Sequence, residues 1–521
     1  MASYAINHYV NREPVGFHIV NIIIHAVSSF LVFWLVNFLF KKKFLSYAVF
    51  LLFLAHPIHT EAVTSIVGRA ELLSFLFGVA GICFFIKNNK TLSAASFLLA
   101  LLSKESALMV LPIIFYISVV FSDIKIWDSF KKLWFFSLPL GFYALLRYKA
   151  LGGYFLGDVT ATMAENPLRF VSFSERISTA FKVLYLYLEK LIWPVHLSAD
   201  YSFNAIKVIR SPFVSVESIV GILIFALLVA IIVFYKKVSK ELSFSAALFL
   251  FPYMIISNLV KQIGTIMGER LMYFPSFGFT IVAALVLVKI YDYKKWGAKA
   301  AYGLLAVILA FYGARTFIRN KDWHDSRTLF YATVKESPDS LITRTALAGV
   351  HIRADEWDLA KEQLKIAGSI YEDNSHLQNL LGVVADHDGD YVLAEEKYKR
   401  SLEFNSDAIN SHINLAELYL KQGRLEEAGN NFLKVIDFYS TAEYIIRYSY
   451  IQIALNRPDK ALDMINKYFV TIDNPEISAL TGTAYFVKGD YKLALPYLKM
   501  ALEQGNKSLE IMRMVKIAEQ K

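Results

Sequence analysis

The sequence predicts an all-α protein in two parts: a polytopic membrane helix bundle over residues 1–321, then a superhelix of helical-hairpin repeats over 322–521. Three observations carry this expectation. Of 521 residues, 56% are hydrophobic and only 19% are charged, below the share of roughly a quarter expected in a soluble domain. Apolar segments follow one another from Gly16 to about Arg319. Beyond them, small residues recur with a period of 33 or 34, the mark of a stacked repeat.

The apolar segments lie near 17–40, 44–55, 70–86, 91–102, 106–121, 133–150, 176–193, 216–235, 243–260, 271–290 and 299–318. A helix needs roughly 20 apolar residues to cross a bilayer core. Segments such as 44–55 and 91–102 are too short alone, so they must tilt, run into their neighbours or be broken at membrane depth. Lysine clusters orient the map, because basic residues flank spanning helices on the cytoplasmic side. Lys41 to Lys43, Lys87 with Lys90, Lys131 with Lys132, Lys236 with Lys237 and Lys240, and Lys294 with Lys295 all read as cytoplasmic. The stretch 55–73, the loops near 151–175 and 194–215, and residues 261–270 then face the other side. With external loops on both flanks, 176–193 cannot cross and is expected to be re-entrant or interfacial.

In the carboxy-terminal part, Ala348, Gly382, Ala416, Ser449 and Gly482 are spaced 34, 34, 33 and 33 apart, and an alanine follows each by twelve: Ala360, Ala394, Ala428, Ala461 and Ala494. This is the tetratricopeptide pattern, in which small residues permit close helix approach and aromatics such as Tyr398 and Phe432 fill the neighbouring repeat. About five repeats are expected. Ser326, Phe330, Thr333 and Pro338 match the second helix of a further, partial unit, which joins the array directly to the last membrane helix. The array thereby falls on the non-cytoplasmic side: periplasm or exterior, or the lumen of the endoplasmic reticulum in a eukaryote. Asn379, His412, Asn414 and Tyr448 are candidate contacts on its concave face.

The formal charge of +9 does not indicate nucleic acid. Residues 322–521 hold 23 Lys and Arg against 30 Asp and Glu, which leaves 31 against 15 in residues 1–321, so the basicity belongs to the membrane part. The lone cysteine, Cys83, excludes an internal disulfide and a cysteine metal site. No GxSxG is present, which argues against a covalent hydrolase.

Ionisable groups within the apolar part mark a function or a polar cavity. In "AHPIHTEAVTSIVGRAELL" they are His56, His59, Glu61, Arg69 and Glu71; Lys104 and Glu105 lie in "LLSKESA", Asp200 in "HLSADYSF", and Glu269 and Arg270 in "GERLMYFPSFGF", with Arg147 on a further segment. His56, His59 and Glu61 could offer three metal ligands, but Pro57 disfavours a helix there and no HExxH exists. The two histidines otherwise cap a short external helix. Arg69, Lys104, Arg147 and Arg270 could neutralise a lipid-linked phosphate. Glu61, Glu71, Glu105, Asp200 and Glu269 could take a proton from a hydroxyl or order a divalent metal. Against these stand snorkelling for each cation and a structural pair for each acid, such as Lys104–Glu105 or Glu269–Arg270.

These motifs, in this order and followed by the repeats, resemble the transmembrane-and-tetratricopeptide-repeat (TMTC) family. The resemblance implies a GT-C fold glycosyltransferase that moves a sugar, mannose in the animal members, from a polyprenyl phosphate to protein Ser/Thr outside the cytoplasm, the repeats binding the acceptor protein. By motif, it carries Glu61 and Glu71 as catalytic candidates, Glu71 standing where Asp is more usual. It carries His56, His59, Arg69, Lys104, Glu105, Asp200, Glu269, Arg270 and Tyr273 as substrate or phosphate contacts. No metal ligand is assigned. The implied partners are a lipid-linked sugar, an acceptor protein and the membrane, with no nucleic acid. The first helix and the acidic loop that precede this region in GT-C enzymes have no counterpart here, so half of the site is expected to be missing. That sustains the alternative of a non-catalytic membrane-anchored repeat scaffold, and the phosphate-binding cations would also serve a flippase or transporter of lipid-linked sugars.

Overall fold

The computed structural model describes residues 2–121, 126–152, 161–211, 214–469 and 474–521. These residues are all helix, turn and loop, without a strand among them. They form two compact units, Met1–Val350 and His351–Lys521.

In the first unit each apolar segment becomes a helix, starting with Pro14–Phe40, Lys43–Ala55, Arg69–Ile86 and Lys90–Ser103 and ending with Gly297–Asp322. Among the described residues four helices are long and apolar enough to cross a membrane, Pro14–Phe40, Ile66–Ile86, Val216–Val233 and Gly297–Asp322, and the bent pair Lys43–Ala55 with Pro57–Thr64 makes a fifth if it is one span. The chain is a membrane protein. Short segments are resolved as the sequence requires. Lys43–Ala55 stops at His56 because the following proline forces that residue into extended backbone, and the helical path resumes over 57–64 with a bend of 45°. Lys104, also extended, separates Lys90–Ser103 from the turn Glu105–Met109.

Consecutive helices pack as hairpins: Pro14–Phe40 with Lys43–Ala55, Arg69–Ile86 with Lys90–Ser103, Lys240–Ile256 with Pro275–Tyr291. The last pair meets so closely that a Cβ on Gly278 would lie 2.4 Å from the Ser245 carbonyl oxygen. The lysine clusters occupy the turns at one end of these hairpins, and the broken segments 56–69, 104–109 and 257–274 occupy the other. Phe173–Ile192 is different. It carries Glu175, Arg176, Lys182, Glu189 and Lys190, and both its ends touch elements at that second end: the Leu191 carbonyl accepts from His56, and the Ser178 carbonyl accepts from Ser218.

The first unit runs on through Ser326–Glu336 and most of Leu341–Arg353, to Val350. Residues 326–343 stay with it because they bond to the loop 194–206, as described below.

The second unit repeats helix, turn, helix from Trp357–Ile370 to Leu509–Gln520. Asp355, Gly389, Gly423, Asn456 and Gly489 share a positive φ, one per repeat turn. Ala360, Ala394, Ala428, Ala461 and Ala494 are fully buried. At Gly382 a Cβ would press the Tyr398 ring at 2.6 Å, which is why the position takes no larger residue. Ion pairs join successive repeats, among them Lys361–Asp388 at 2.9 Å and Arg424–Glu395 at 2.6 Å.

Candidate functional site

Three separate breaks in helical structure meet at the end of the first unit opposite the lysine-cluster turns: 56–69, 104–109 and 257–274. Pro57 forces His56 out of the helix, and extended backbone at Lys104 and at Gly268 interrupts the other two. The breaks release polar side chains where a continuous helix would have buried apolar ones.

Glu61 is 2% exposed. Its carboxylate accepts from the Arg270 main-chain N–H at 2.9 Å and from the Arg270 guanidinium. Glu71 accepts from Lys104 Nζ. The two acids lie inward and the two cations at the rim, the Arg270 and Lys104 side chains being 43% and 26% exposed. Glu61 beside it holds the Arg270 guanidinium above its ordinary pKa. Chemically, the arrangement offers an anion two outward-facing cations, one from each of two breaks, backed by two carboxylates from the stretch 61–71.

Glu269 points the other way. It is fully buried, and its Oε1 accepts from the Ser198 N–H and the Tyr201 hydroxyl, each at 2.6 Å. Arg319 Nη2 stands 3.9 Å from its Oε2. Burial pushes the Glu269 carboxyl up to about 7, against the opposing pull of Arg319. Arg319 is itself buried and bonded to Asp322 at 3.3 Å. Sequence reading missed it: a single arginine at the end of a membrane helix looks like an interfacial residue, and only the fold shows its guanidinium inside.

The remaining candidates serve the scaffold. His56 caps the turn Pro57–His59, its Nδ1 accepting from the Ile58 N–H at 3.1 Å while its Nε2 donates to the Leu191 carbonyl at 2.9 Å, so both nitrogens are in use. His59 Nε2 meets Ser276 Oγ at 2.8 Å. Tyr273 meets His25, another residue the sequence did not signal, at 2.6 Å. Arg69, expected to face a phosphate, is 0% exposed. Its fork donates to Asn21, Asn7 and the carbonyls of Ser3 and Phe17, so those donors clamp the amino-terminal helices and are not directed to a ligand. Glu105 lies exposed in the first turn of its short helix. The paired structural reading therefore takes different partners from those adjacent in sequence: Lys104 joins Glu71, not Glu105, and Arg270 joins Glu61, not Glu269. Asp200 accepts on Oδ2 from Ser202, Ser340 and Thr343 and so belongs to a loop contact. Among the described residues no group of three or more His, Cys, Asp or Glu is arranged to hold a metal ion. In the second unit, Asn379 accepts from Ser411 and Asn414 at 3.0 Å, which ties the candidate contacts Asn379 and Asn414 together, and His412 bonds Asn431 at 2.8 Å.

No family model matches the chain. Its curated relatives are named protein O-mannosyl-transferases of the TMTC type. A Caenorhabditis elegans protein of that name, F38B6.6, is 27% identical over 334 residues, 63% of this chain and 46% of its own length. Human TMTC3 is 24% identical over 475 residues, 83% of this chain and 47% of its own. The chain spans about half the length of the curated relatives it matches. Among solved structures, YrrB, described as a TPR protein with an unusual peptide-binding site, aligns with 36% of this chain at a TM-score of 0.33 and 14% identity, over 97% of its own length.

Proposed function

We propose that the chain is the core of a membrane glycosyltransferase that moves a sugar from a polyprenyl phosphate to a protein Ser/Thr hydroxyl on the non-cytoplasmic side. One observation carries the reading: Glu61–Arg270 and Glu71–Lys104 converge from three chain breaks at the end of the bundle away from the lysine clusters. Arg270 and Lys104 contact the donor phosphate. A carboxylate, Glu61 or Glu71, takes the proton as the acceptor oxygen bonds to the anomeric carbon. The bond from that carbon to the phosphate oxygen breaks, and the polyprenyl phosphate leaves with the electron pair, its charge met by the two cations. His56, His59, Glu269 and Tyr273 hold the breaks in register. Mannose is the sugar suggested by the relatives' names. Acceptor docking by the repeats is supported by an apolar hollow in the second unit lined by Leu420, Leu425, Ile446, Tyr450 and Ile451, with Arg447 at its side.

The full chain in lipid nanodiscs, given polyprenyl-phosphate mannose and a Ser/Thr-rich acceptor protein, should transfer sugar. Failure of both transfer and donor binding rejects this reading. A second reading, a non-catalytic scaffold, is favoured by one specific feature: both carboxylates are already satisfied by protein cations. Donor binding that is lost in R270A separates the two, since a scaffold has no reason to bind the donor there.

A further inference from the structure

The loop 194–206 bridges two places that are far apart in sequence. On one side Ser198 and Tyr201 grip Glu269. On the other, Ser337 Oγ donates to the Asp200 carbonyl at 2.9 Å, and Asp200 Oδ2 takes Ser340 Oγ at 2.6 Å and Thr343 Oγ1 at 3.2 Å. Backbone pairing runs alongside, with Leu341 N–H to the Phe203 carbonyl at 2.7 Å and Asn204 N–H to the Asp339 carbonyl at 3.1 Å. Ser198 itself closes the circuit, its Oγ lying 2.9 Å from that of Ser337. Ser198, Ser202, Ser337, Ser340 and Thr343 are all buried. A carboxylate sunk among hydroxyls makes charge-assisted hydrogen bonds, roughly twice as strong as neutral ones, and its removal leaves buried hydroxyls unpaired.

We infer that 194–206 is a strap and Asp200 its positioning residue, anchoring the loop on 337–343 so that Ser198 and Tyr201 hold the Glu269 carboxylate in place and away from water. Asp200 touches neither Glu269 nor the rim cations, and it acts through the loop. The groups whose charge reaches Glu269 are Arg319, Glu61 and Lys190, with Tyr201 bonded to it. None of them is contributed by 337–343. A change at Asp200 therefore reaches Glu269 only by moving the strap.

The test uses the full chain in nanodiscs and needs no transferase activity, so it stands or falls separately from the proposed function. Infrared difference spectroscopy against E269Q isolates the carbonyl stretch of protonated Glu269. Its midpoint in the unaltered chain should lie at about 7. In D200A, and in the S340A/T343V variant, water should reach the carboxyl and the midpoint should fall towards the ordinary glutamate value of about 4.3. Hydrogen exchange at the Ser198 amide should quicken at least about tenfold, the effect of losing one strong bond. D200N keeps an acceptor oxygen for the hydroxyls and should lie closer to the unaltered chain than D200A. S340A alone removes one hydroxyl and leaves the backbone pairing, so a folded variant is at hand. An unchanged Glu269 midpoint together with unchanged Ser198 exchange in these variants would overturn the inference.

Discussion

Replacing Glu269 with glutamine should abolish a defined part of the pH dependence of stability. Folding buries this carboxyl and raises its midpoint from 4.5 to about 7. A raised acid binds its proton more tightly in the folded chain. Its contribution is therefore fully present below about 4.5, declines as pH rises, and is gone once pH passes about 7. At about 1.36 kcal/mol per pKa unit, the folded chain loses about 3 kcal/mol across that window. For a unit of this size, a loss of about 3 kcal/mol corresponds to roughly 5–10 °C in thermal midpoint. The assay is thermal unfolding of the full chain and of E269Q in the same nanodiscs at pH steps from 4.5 to 8. The difference between the two curves removes every other titrating group. E269Q should be flatter by about that amount. Equal slopes for the two proteins would refute the claim that Glu269 is desolvated by the strap.

Three further outcomes follow from other contacts. R270A strands Glu61, which is 2% exposed; half-exposure of the arginine and the surviving main-chain bond reduce the cost below the 3–5 kcal/mol of a fully buried pair, to about 2 kcal/mol. In a double-mutant cycle, R270A/E61Q should be clearly less destabilised than the sum of its parts, and additive unfolding free energies would contradict the pairing. R69M should release the helix Ala2–Val10, since Asn7 and the carbonyls of Ser3 and Phe17 lose their donor; faster proteolysis within residues 2–13, at unchanged secondary structure by circular dichroism, is the expected reading. In the second unit, Arg424 bonded to Glu395 holds that carboxyl down to about 2. A lowered acid stabilises above its ordinary 4.5 and loses this as pH falls towards 2, so acid unfolding of the second unit should begin at higher pH in R424M than in the unaltered chain, followed by hydrogen exchange.

Much of the fold was legible in the chain because it rests on local rules. Hydropathy places the helices of the first unit, and the period of small residues places the turns of the second, where Gly382 can face Tyr398 only without a side chain. One break was legible too: Pro57 disfavours helix at His56. The partners of the charged residues were not. Sequence suggests Lys104 with Glu105 and Glu269 with Arg270, because neighbours are all it shows. In a helical break, adjacent side chains leave the backbone in different directions, and Lys104 meets Glu71 while Arg270 meets Glu61.

The sequence by itself determined that this is an all-helical membrane protein with a repeat array, which charged residues lie away from the lysine clusters, and a resemblance to TMTC proteins. Those properties follow from hydrophobic period, charge count and motif order, each readable along the chain. Only the tertiary structure decided that Arg69 is a clamp, that Arg319 is buried beside Glu269, and that Asp200 serves a loop contact. Burial and pairing depend on segments far apart in the chain, such as Glu61 and Arg270, 209 residues apart. At such separations a side chain's exposure, and with it the free-energy cost of its charge, is a property of the fold.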